Sequence, residues 1–319
     1  SIFRGRPATC LINPRAGREA ETVGQPADPP KRILVIGGGP AGMKAACVAA
    51  ERGHKVTLME KTEALGGQLL LNRSIPGRGE LLTAVQDLKN NLRALGVEVQ
   101  LRVTADQNRV RELAPEAVVL ASGARPVTPQ IPGIDSPHVV QSWEVLAGRK
   151  GVGTRVVVLG GNAVGLETAL YLAGVGTLTP EMLHFLMVNR AESLETLTGL
   201  LNKGIKEVTV VEMEPKAGKD VGLTTKWTIM AELKRLGVRI LTETKAVGVT
   251  PEGLETQGKN GTGLIPADCV VVAAGSRSEN ILLDELQGVV SKIHVIGDAQ
   301  EPRNALTAIR EGLEAGLSV

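Results

Sequence analysis

The chain of 319 residues has very few aromatic side chains: two Phe, two Trp and one Tyr, 2% of the sequence. Proteins that bind single-stranded nucleic acid stack bases on such side chains, so the material for that platform is missing. An excess of one sign of charge is also missing, because the formal net charge is only +2. We therefore expect no nucleic-acid partner.

Cysteine is equally scarce, with Cys10, Cys47 and Cys269 far apart in the sequence. Three separated cysteines cannot build a disulfide framework, and no pair has the spacing of a redox dithiol. The histidines are isolated, so their spacing predicts no metal site. This usage is typical of a reducing compartment, and we expect a cytoplasmic protein.

Long apolar runs without glycine, proline or charge are missing as well. The stretch over residues 33–50 contains four glycines, a proline and Lys44, which predicts a buried strand, a turn and a helix rather than a membrane span. Residues 1–6 lead into polar sequence, which predicts that no signal peptide opens the chain. We therefore expect no membrane association.

Glycine, by contrast, is abundant, and its 38 residues imply many close backbone approaches. The chain length suits about two domains. Hydrophobic periodicity predicts a strand, a helix and a strand over residues 33–60, which is a βαβ unit. The same order restarts over residues 155–212, with a longer insertion between helix and strand. The sequence therefore predicts two nucleotide-binding domains of the α/β class.

Further elements follow from the same periodicities. Residues 79–95 carry an apolar stripe at helical spacing. Glycines between residues 246 and 265 predict a small β-meander, with a turn that includes Asn260. One more strand is predicted over residues 293–297, and a closing helix over residues 304–317.

A glycine-rich turn separates the first predicted strand from the first predicted helix. Gly37, Gly39 and Gly42 have the spacing of the dinucleotide fingerprint, in which they permit a tight turn, a close pyrophosphate and close packing of the helix, respectively. Glu60 ends the next strand, where a carboxylate can accept hydrogen bonds from a ribose. Glycines that only shape a turn are the alternative. The surrounding strand, helix and Glu60 favour nucleotide binding.

These features resemble the FAD-binding half of the two-dinucleotide-binding flavoprotein superfamily, whose fold consists of two Rossmann-like domains. Residues 119–124 and 295–298 resemble two later motifs of that superfamily, and the resemblance implies that Asp298 contacts the ribityl and pyrophosphate portion of FAD. A turn or N-cap aspartate is the alternative. The resemblance implies FAD contacts at Gly37, Gly39, Pro40, Ala41, Gly42, Glu60, Lys61, Gly67, Gln68, Val103, Ala121, Ser122, Gly123, Gly297, Asp298 and Ala305.

The second predicted turn has Asn162 where the fingerprint has its central glycine. Asparagine tolerates positive φ better than most residues, so the turn can form, but the side chain can crowd a pyrophosphate. Glu212 ends the next strand, where an acidic group favours the ribose diol of NADH over the 2′-phosphate of NADPH. NADPH remains the alternative if Lys206, Lys216 or Lys219 offsets Glu212.

Glu167 lies early in the second predicted helix. The resemblance implies a carboxylate near the nicotinamide at this place, and an ordinary first-turn helix glutamate is the alternative. No catalytic side chain is expected, because in hydride transfer from NADH to FAD the cofactors carry the chemistry. The expected NADH contacts are Gly160, Asn162, Ala163, Val164, Gly165, Glu167, Glu212, Ala274 and Gly275.

Cys10 lies in a run over residues 8–19 that includes Asn13 and Pro14. This run resembles the segment between the barrel and the flavin domain in the family of 2,4-dienoyl-CoA reductase, enoate reductase and trimethylamine dehydrogenase. The resemblance implies that Cys10 is the last thiolate ligand of a 4Fe–4S cluster whose other three ligands are absent from this chain. A linker thiol is the alternative. We expect Cys47 and Cys269 in the core.

The resemblance also implies a function. An NADH-dependent flavoprotein oxidoreductase module would pass a hydride from NADH to FAD, and electrons through the cluster to an FMN-containing barrel domain or subunit. The barrel would reduce an α,β-unsaturated acyl-CoA or enoate, a small-molecule substrate bound outside this chain. Two alternatives are a stand-alone NADH:acceptor oxidoreductase subunit and a non-catalytic assembly module that retains FAD.

The expected organisation follows from these assignments. Residues 1–31 form the iron–sulfur arm and linker. Residues 32–150 and 282–319 form the FAD-binding domain, and residues 151–281 form an inserted NAD(P)H-binding domain. The resemblance further implies that the chain is a fragment or a split subunit and that the protein is an oligomer.

Overall fold

The fold comes from a computed structural model, and the structure describes residues 9–259 and 261–319. These residues form fifteen strands and ten α-helices. The strands are β1 Arg32–Ile36, β2 Lys55–Glu60, β3 Glu98–Leu101, β4 Ala117–Leu120, β5 Ala124–Pro126, β6 Val139–Gln141, β7 Arg155–Leu159, β8 Glu207–Val211, β9 Arg239–Leu241, β10 Lys245–Thr250, β11 Gly253–Gly258, β12 Gly261–Pro266, β13 Cys269–Val272, β14 Ser276–Ser278 and β15 Ile293–Val295. The helices are α1 Pro40–Glu51, α2 Leu81–Ala94, α3 Gln107–Leu113, α4 Ser142–Leu146, α5 Ala163–Gly174, α6 Pro180–Val188, α7 Leu194–Asn202, α8 Leu223–Arg235, α9 Leu282–Leu286 and α10 Ala305–Ser318.

Two compact units divide the chain. The first contains the described residues up to Asn72 together with Gly79–Arg125 and Ser276–Val319, and the second contains Arg73–Arg78 and Pro126–Gly275. The sequence instead predicted an inserted domain over residues 151–281. The second unit starts earlier because β6 pairs in parallel with β13 and thereby joins its sheet. Residues 1–8 of the predicted iron–sulfur arm lie outside the described residues.

The first unit is built around a parallel sheet with the strand order β15-β4-β1-β2-β3. All four residues of β4 and the last four of β1 are buried, as expected for strands covered on both faces. Because all the strands run in one direction, their carboxyl ends meet at one edge of the sheet. The residues that follow β1, β2, β4 and β15 therefore lie along the same edge.

Two helices of this unit approach each other at glycine contacts. A Cβ atom on Gly312 of α10 would lie 2.4 Å from the carbonyl oxygen of Ala41 in α1. The Arg52 guanidinium, just after α1, donates to the carbonyl oxygens of Leu317 and Val319 at 2.8 and 2.9 Å. These contacts fix α10 against α1, and α10 begins at the end of the sheet where the glycine-rich turn lies.

The second unit repeats the parallel sheet, with the order β6-β13-β7-β8-β9. The predicted β-meander is confirmed as the antiparallel sheet β10-β11-β12, although the predicted turn at Asn260 lies outside the described residues. Helices α6 and α7 fill the insertion between α5 and β8. In the part of the chain that the structure describes, no helix has both the length and the hydrophobicity needed to cross a membrane.

His54, which precedes β2, makes the stability of the first unit depend on pH. Burial, reinforced by the cations of Arg52 and Lys31, lowers its pKa below the ordinary value of 6.5. Its Nδ1 accepts the Lys31 backbone N–H at 3.0 Å, a bond that protonation of Nδ1 breaks. The folded state therefore binds fewer protons than the unfolded state, and the stabilisation is present above the unfolded pKa and is lost as the pH falls from there through the lower folded pKa.

We expect the free energy of unfolding in urea to decrease between about pH 7.5 and about pH 5.5. The decrease should be smaller in a His54→Gln variant, in which this titrating group is absent. An equally steep pH dependence in the variant would contradict this assignment.

Candidate functional site

The turn after β1 is held in place by two glycines. Gly37 has a φ of +111°, and a Cβ atom there would lie 2.2 Å from the carbonyl oxygen of Ala121. A Cβ atom on Gly42 would lie 2.0 Å from the carbonyl oxygen of Gly37. Both separations are far below van der Waals contact, so the packing of α1 against the sheet requires glycine at these positions.

Gly39 lies in different surroundings, because a Cβ atom there would meet nothing within 4 Å. Its φ of −73° is available to any residue. Pro40 begins α1 directly afterwards, and no side chain caps the helix N-terminus. The first-turn N–H groups and the positive end of the helix dipole therefore face open space. A pyrophosphate fits these donors, and a side chain at position 39 would intrude on it.

Glu60 braces this turn from the end of β2. Its buried carboxylate accepts the Gly38 N–H at 2.7 Å and the Thr62 N–H at 2.8 Å. A carboxylate offers about four acceptor positions, so two remain for a ribose hydroxyl. The structure thus gives Glu60 a bracing role that the sequence did not predict, and leaves it capacity for the predicted role.

The late motif follows β15 and places Asp298 next to Gln68. Oδ2 of Asp298 accepts a hydrogen bond from Nε2 of Gln68 at 3.0 Å, and Oδ1 accepts the Arg303 backbone N–H at 3.1 Å. Two residues predicted from separate motifs are therefore in direct contact. Both carboxylate oxygens keep a free lone pair that can accept a hydroxyl donor.

Glu311 in α10 supports this motif, although it is not among the site residues predicted from the sequence. Its Oε2 accepts the Gly297 N–H at 2.7 Å, and its Oε1 is paired with the Arg303 guanidinium. Gly297 has a φ of +62°, which favours glycine. Ala305 begins α10 behind Asn304, whose side chain caps the helix. Contacts between residues far apart in sequence, as here, leave no local signal.

The other predicted FAD residues differ in their exposure and in the hydrogen bonds that they already make. The Ser122 hydroxyl donates to the carbonyl oxygen of Glu279. Gly123 has a φ of +80° and open space around an added Cβ atom. Val103 is half-buried, and its N–H donates to the Glu60 carbonyl oxygen at 3.0 Å, whereas Lys61 is exposed.

The second unit repeats the geometry of the first turn. Gly160 has a φ of +110°, and a Cβ atom there would lie 2.3 Å from the carbonyl oxygen of Ala273. A Cβ atom on Gly165 would lie 1.9 Å from the carbonyl oxygen of Gly160. Ala163 begins α5, and Ala274 and Gly275 are exposed after β13. The two turns are therefore equivalent in structure as well as in sequence.

Glu212 has the same position and contacts as Glu60. Its Oε2 accepts the Gly161 N–H at 2.7 Å, and its Oε1 accepts the Glu214 N–H at 2.8 Å. The structure therefore places an anionic group beside the second turn, at the end of β8. Such a carboxylate suits a ribose diol and repels a 2′-phosphate.

Three lysines could offset the charge of Glu212, and one of them, Lys206, lies at the opposite end of the sheet. Lys206 precedes β8, and its ammonium donates to the carbonyl oxygens of Val152 and Gly153, both at 2.9 Å. These residues precede β7, so Lys206 lies at the amino ends of the strands, away from Glu212. Lys216 and Lys219 are exposed in the segment after β8.

Asn162 has a φ of −88°, so the expectation that it must tolerate positive φ is wrong. The central position of the turn is extended in both units, and glycine is not needed there for backbone conformation. The Asn162 amide is bonded to Asp220, whose backbone N–H donates to Asn162 Oδ1 at 2.9 Å and whose carboxylate accepts from Nδ2. Asp220 is not among the site residues predicted from the sequence.

Glu167 forms an ion pair with Arg78, which lies in the short segment Arg73–Arg78 of the second unit. Its Oε1 lies 2.6 Å from Nη2 of Arg78, and the Glu167 side chain is 12% exposed. Glu167 is the fifth residue of α5, and the first turn of this helix contains no acidic residue. Val164, one turn earlier on α5, is exposed.

The three cysteines have distinct surroundings. Cys10 is exposed, and its Sγ accepts the Asn13 backbone N–H at 3.4 Å. Burial raises the pKa of Cys47 to about 12 and that of Cys269 to about 11, so both remain protonated thiols in the core. Among residues 9–259 and 261–319, no group of three or more His, Cys, Asp or Glu side chains has a geometry that could hold a metal ion.

The geometry of both turns agrees with the match to a family model. The model of the pyridine nucleotide-disulphide oxidoreductase family matches residues 31–312. The chain belongs to this family. The predicted two-dinucleotide α/β fold is confirmed, and so are the predictions of a flavin oxidoreductase and of FAD and NADH as its cofactors. This family member nevertheless has no closely spaced pair of cysteines in its sequence.

Curated proteins with a known name are similar to nearly the whole of this chain. The chain is 44% identical over 320 residues to the metal reductase of Desulforamulus reducens, covering 99% of this chain and 48% of that protein. It is 32% identical to the cinnamate reductase of Clostridium sporogenes, covering 98% and 43%, respectively. The chain thus spans about half the length of the curated relatives it matches.

Solved structures give the same picture. A 2-naphthoyl-CoA reductase in complex with 2-naphthoyl-CoA matches with a TM-score of 0.84 and 28% identity, over 98% of this chain and 43% of that chain. The histamine dehydrogenase from Rhizobium sp. 4-9 matches with a TM-score of 0.78 at 20% identity over 98% of this chain and 48% of that chain, which supports the fold alone. The resemblance to the family of 2,4-dienoyl-CoA reductase, enoate reductase and trimethylamine dehydrogenase is confirmed.

Proposed function

We propose that the first unit binds FAD, that the second unit binds NADH, and that a hydride passes from NADH to the flavin. The repeated turn is the observation that carries this proposal. Each unit has a glycine with positive φ after its first strand and a second glycine that packs against the carbonyl oxygen of the first. Each unit also has a carboxylate that accepts an N–H of the turn.

Each residue of the first site has a task that its contacts support. The uncapped N-terminus of α1 and the open space at Gly39 hold the pyrophosphate. Asp298, held by Gln68, accepts hydrogen bonds from ribityl hydroxyls. Bound NADH supplies a hydride that FAD can accept, so the protein provides position and shelter from water rather than an acid or base.

The second site prefers NADH to NADPH because Glu212 is anionic and Lys206 is too far along the strand to neutralise it. We expect a Glu212→Gln variant to lose about tenfold of its preference for NADH over NADPH. Glutamine keeps one side-chain oxygen as an acceptor but removes the charge that repels a 2′-phosphate. The rate of flavin bleaching by each nucleotide measures the preference.

A Glu214→Gln variant is the matched control, since Glu214 is an exposed acidic neighbour two residues away. It should leave the preference within about twofold of the wild type. An unchanged preference in Glu212→Gln, or an equal change in both variants, would show that Glu212 does not select the nucleotide.

For the whole protein, we propose that electrons continue from FAD through a 4Fe–4S cluster to an FMN-containing barrel. Cys10 is exposed, so its thiolate could be one ligand of the cluster. The chain has only two other cysteines, and both are buried in the core. The residues present therefore do not hold a cluster by themselves, and the other ligands must come from outside this chain.

The proposed substrate of the whole protein is an α,β-unsaturated acyl-CoA or enoate. The names of two similar proteins support this class, since one reduces cinnamate and the other binds 2-naphthoyl-CoA. We also propose a cytoplasmic location, which the scarcity of cysteine favours. The oligomeric state stays a prediction.

Anaerobic titration with NADH tests the proposed function. The FAD-loaded chain should lose its flavin absorbance when NADH is added, with a slower response to NADPH. If FAD is retained and NADH leaves the absorbance unchanged, the reductase proposal fails and a non-catalytic module that retains FAD replaces it. Rapid NADH-dependent turnover with a soluble one-electron acceptor would instead favour the stand-alone oxidoreductase.

A further inference from the structure

The segment after β8 packs against the second turn just as the segment after β2 packs against the first. The Gly66 N–H donates to the Gly38 carbonyl oxygen at 2.8 Å, and the Gly218 N–H donates to the Gly161 carbonyl oxygen at 2.7 Å. These matched bonds set the register of the two segments. They make the residue two positions after Gly66 equivalent to the residue two positions after Gly218.

That register aligns Gln68 with Asp220. In the first unit, Gly67 passes so close to the turn that a Cβ atom on it would lie 3.0 Å from Gly39 Cα, and Gln68 reaches Asp298. In the second unit the aligned Asp220 contacts the turn itself, through Asn162. The residue at this aligned position therefore contacts Asp298 in the first unit, where the central residue of the turn is glycine, and Asn162 in the second unit, where it is not.

Asn162 is the N-cap residue of α5, a position at which asparagine is among the best residues. Its side-chain oxygen would ordinarily accept a first-turn N–H, from Val164 or Gly165. It makes no such cap here. Both polar atoms of the amide are bonded to Asp220 instead: Oδ1 to the backbone N–H at 2.9 Å and Nδ2 to the carboxylate.

We infer that Asp220 is a positioning residue that holds the Asn162 side chain off the N-terminus of α5 and so leaves the first-turn N–H groups to the nucleotide pyrophosphate. This inference rests on the proposed binding of NADH to the second unit. In the first unit the same donors are left free because Gly39 has no side chain. The Asp220 contact thereby offsets the loss of the central glycine.

A second effect of Asp220 has the opposite sign. Its exposed carboxylate brings a negative charge to a site for an anionic ligand, which by itself weakens binding. In Asp220→Ala the backbone N–H of residue 220 can still donate to Asn162 Oδ1, but Nδ2 loses its acceptor, so the amide is no longer fixed from both sides. The substitution therefore weakens binding if this loss of fixation dominates, and tightens binding if the loss of negative charge dominates. Removing only the charge separates the two, because an asparagine at this position still offers an oxygen to Asn162 Nδ2.

The experiment measures the dissociation constant of ADP-ribose by calorimetry on the FAD-loaded full chain. ADP-ribose carries the pyrophosphate but no nicotinamide, so binding is read without any reaction at the flavin. We expect Asp220→Ala to weaken binding about fivefold, the magnitude of competition from one side-chain cap. Asp220→Asn should restore binding to within about twofold of the wild type.

The Asn162→Gly variant tests whether the effect of Asp220→Ala depends on the Asn162 side chain. Asn162→Gly should bind ADP-ribose at least as tightly as the wild type, and adding Asp220→Ala to it should not weaken binding further. Equal weakening by Asp220→Ala in both backgrounds would overturn the inference, as would unchanged or tighter binding in the wild-type background.

The outcomes also separate this inference from the proposed function. A wild-type chain that binds neither ADP-ribose nor NADH would refute the second nucleotide site, and the positioning role with it. A wild-type chain that binds both, with an affinity that Asp220→Ala leaves unchanged, would refute only the positioning role. The KM for NADH should rise with the dissociation constant, while the rate of flavin reduction at saturating NADH should stay the same.

Discussion

Replacing Gly39 with valine is expected to abolish FAD binding while the apoprotein stays folded. A Cβ atom at this position meets no protein atom within 4 Å, and the φ of −73° is available to valine, so the empty protein has room for the side chain. The same room is where we place the pyrophosphate. We expect at least about a 100-fold loss in FAD affinity, on the order of 2.7 kcal/mol. Reconstitution of the apoprotein with FAD, followed by flavin fluorescence, measures it.

The matched control for this change is Gly79→Val. Gly79 belongs to the same unit and also has open surroundings for a Cβ atom, but it lies just before α2 rather than at the turn. It should bind FAD as the wild type does. Retention of FAD by Gly39→Val would mean that the open space at Gly39 is not the pyrophosphate site.

Replacing Gly42 with alanine is expected to have the opposite effect, destabilising the fold whether or not FAD is present. Its Cβ atom would lie 2.0 Å from the carbonyl oxygen of Gly37, and a backbone atom cannot move aside without shifting α1 from the sheet. Overpacking costs about 1–3 kcal/mol in the free energy of unfolding, and we expect the upper end of this range because the contact is with a backbone atom. Urea denaturation of the apoprotein measures this loss.

Gly39→Ala provides the comparison for Gly42→Ala, because both changes add one methyl group to the same turn. Only Gly42→Ala should lower the denaturation midpoint of the apoprotein. If the two apoproteins were equally stable, the close packing of α1 on β1 would not be the reason for glycine at position 42.

The two turns could be predicted because their constraints are local. Glycine spacing, flanking apolar strands and a terminal carboxylate all lie within short stretches, and a parallel sheet brings them to one edge. The fold class followed from these stretches, and the cofactors followed from the family resemblance that these stretches carry. The error at Asn162 arose because a glycine can be required either for positive φ or for space, and the sequence does not say which. The structure shows an extended backbone there.

The residues that sequence reasoning missed act through distant contacts. Glu311 reaches Gly297 across 14 positions, Asp220 reaches Asn162 across 58, and Arg78 reaches Glu167 across 89. Such pairs leave no periodicity in the sequence. Their polar atoms are selected by tertiary geometry, which one sequence without its fold does not contain.

The insertion between α5 and β8 was predicted, but the helices α6 and α7 inside it were not. Helix α6 has no buried residue, although its sequence is largely apolar. Amphipathic periodicity identifies a helix by the stripe that it buries, and a helix without a buried face has no such stripe. The limits of the compact units also differ from the predicted domain limits, because β6 joins its sheet through pairing with β13, more than a hundred residues later.

The central claim is that one chain holds one FAD and one site for NADH that reduces it. The most direct measurement counts the FAD released per chain on denaturation and, on the same preparation, the NADH needed to bleach the flavin without oxygen. We predict one FAD per chain and complete bleaching at one NADH per FAD. Flavin that stays oxidised with excess NADH but bleaches with a chemical reductant would contradict the claim.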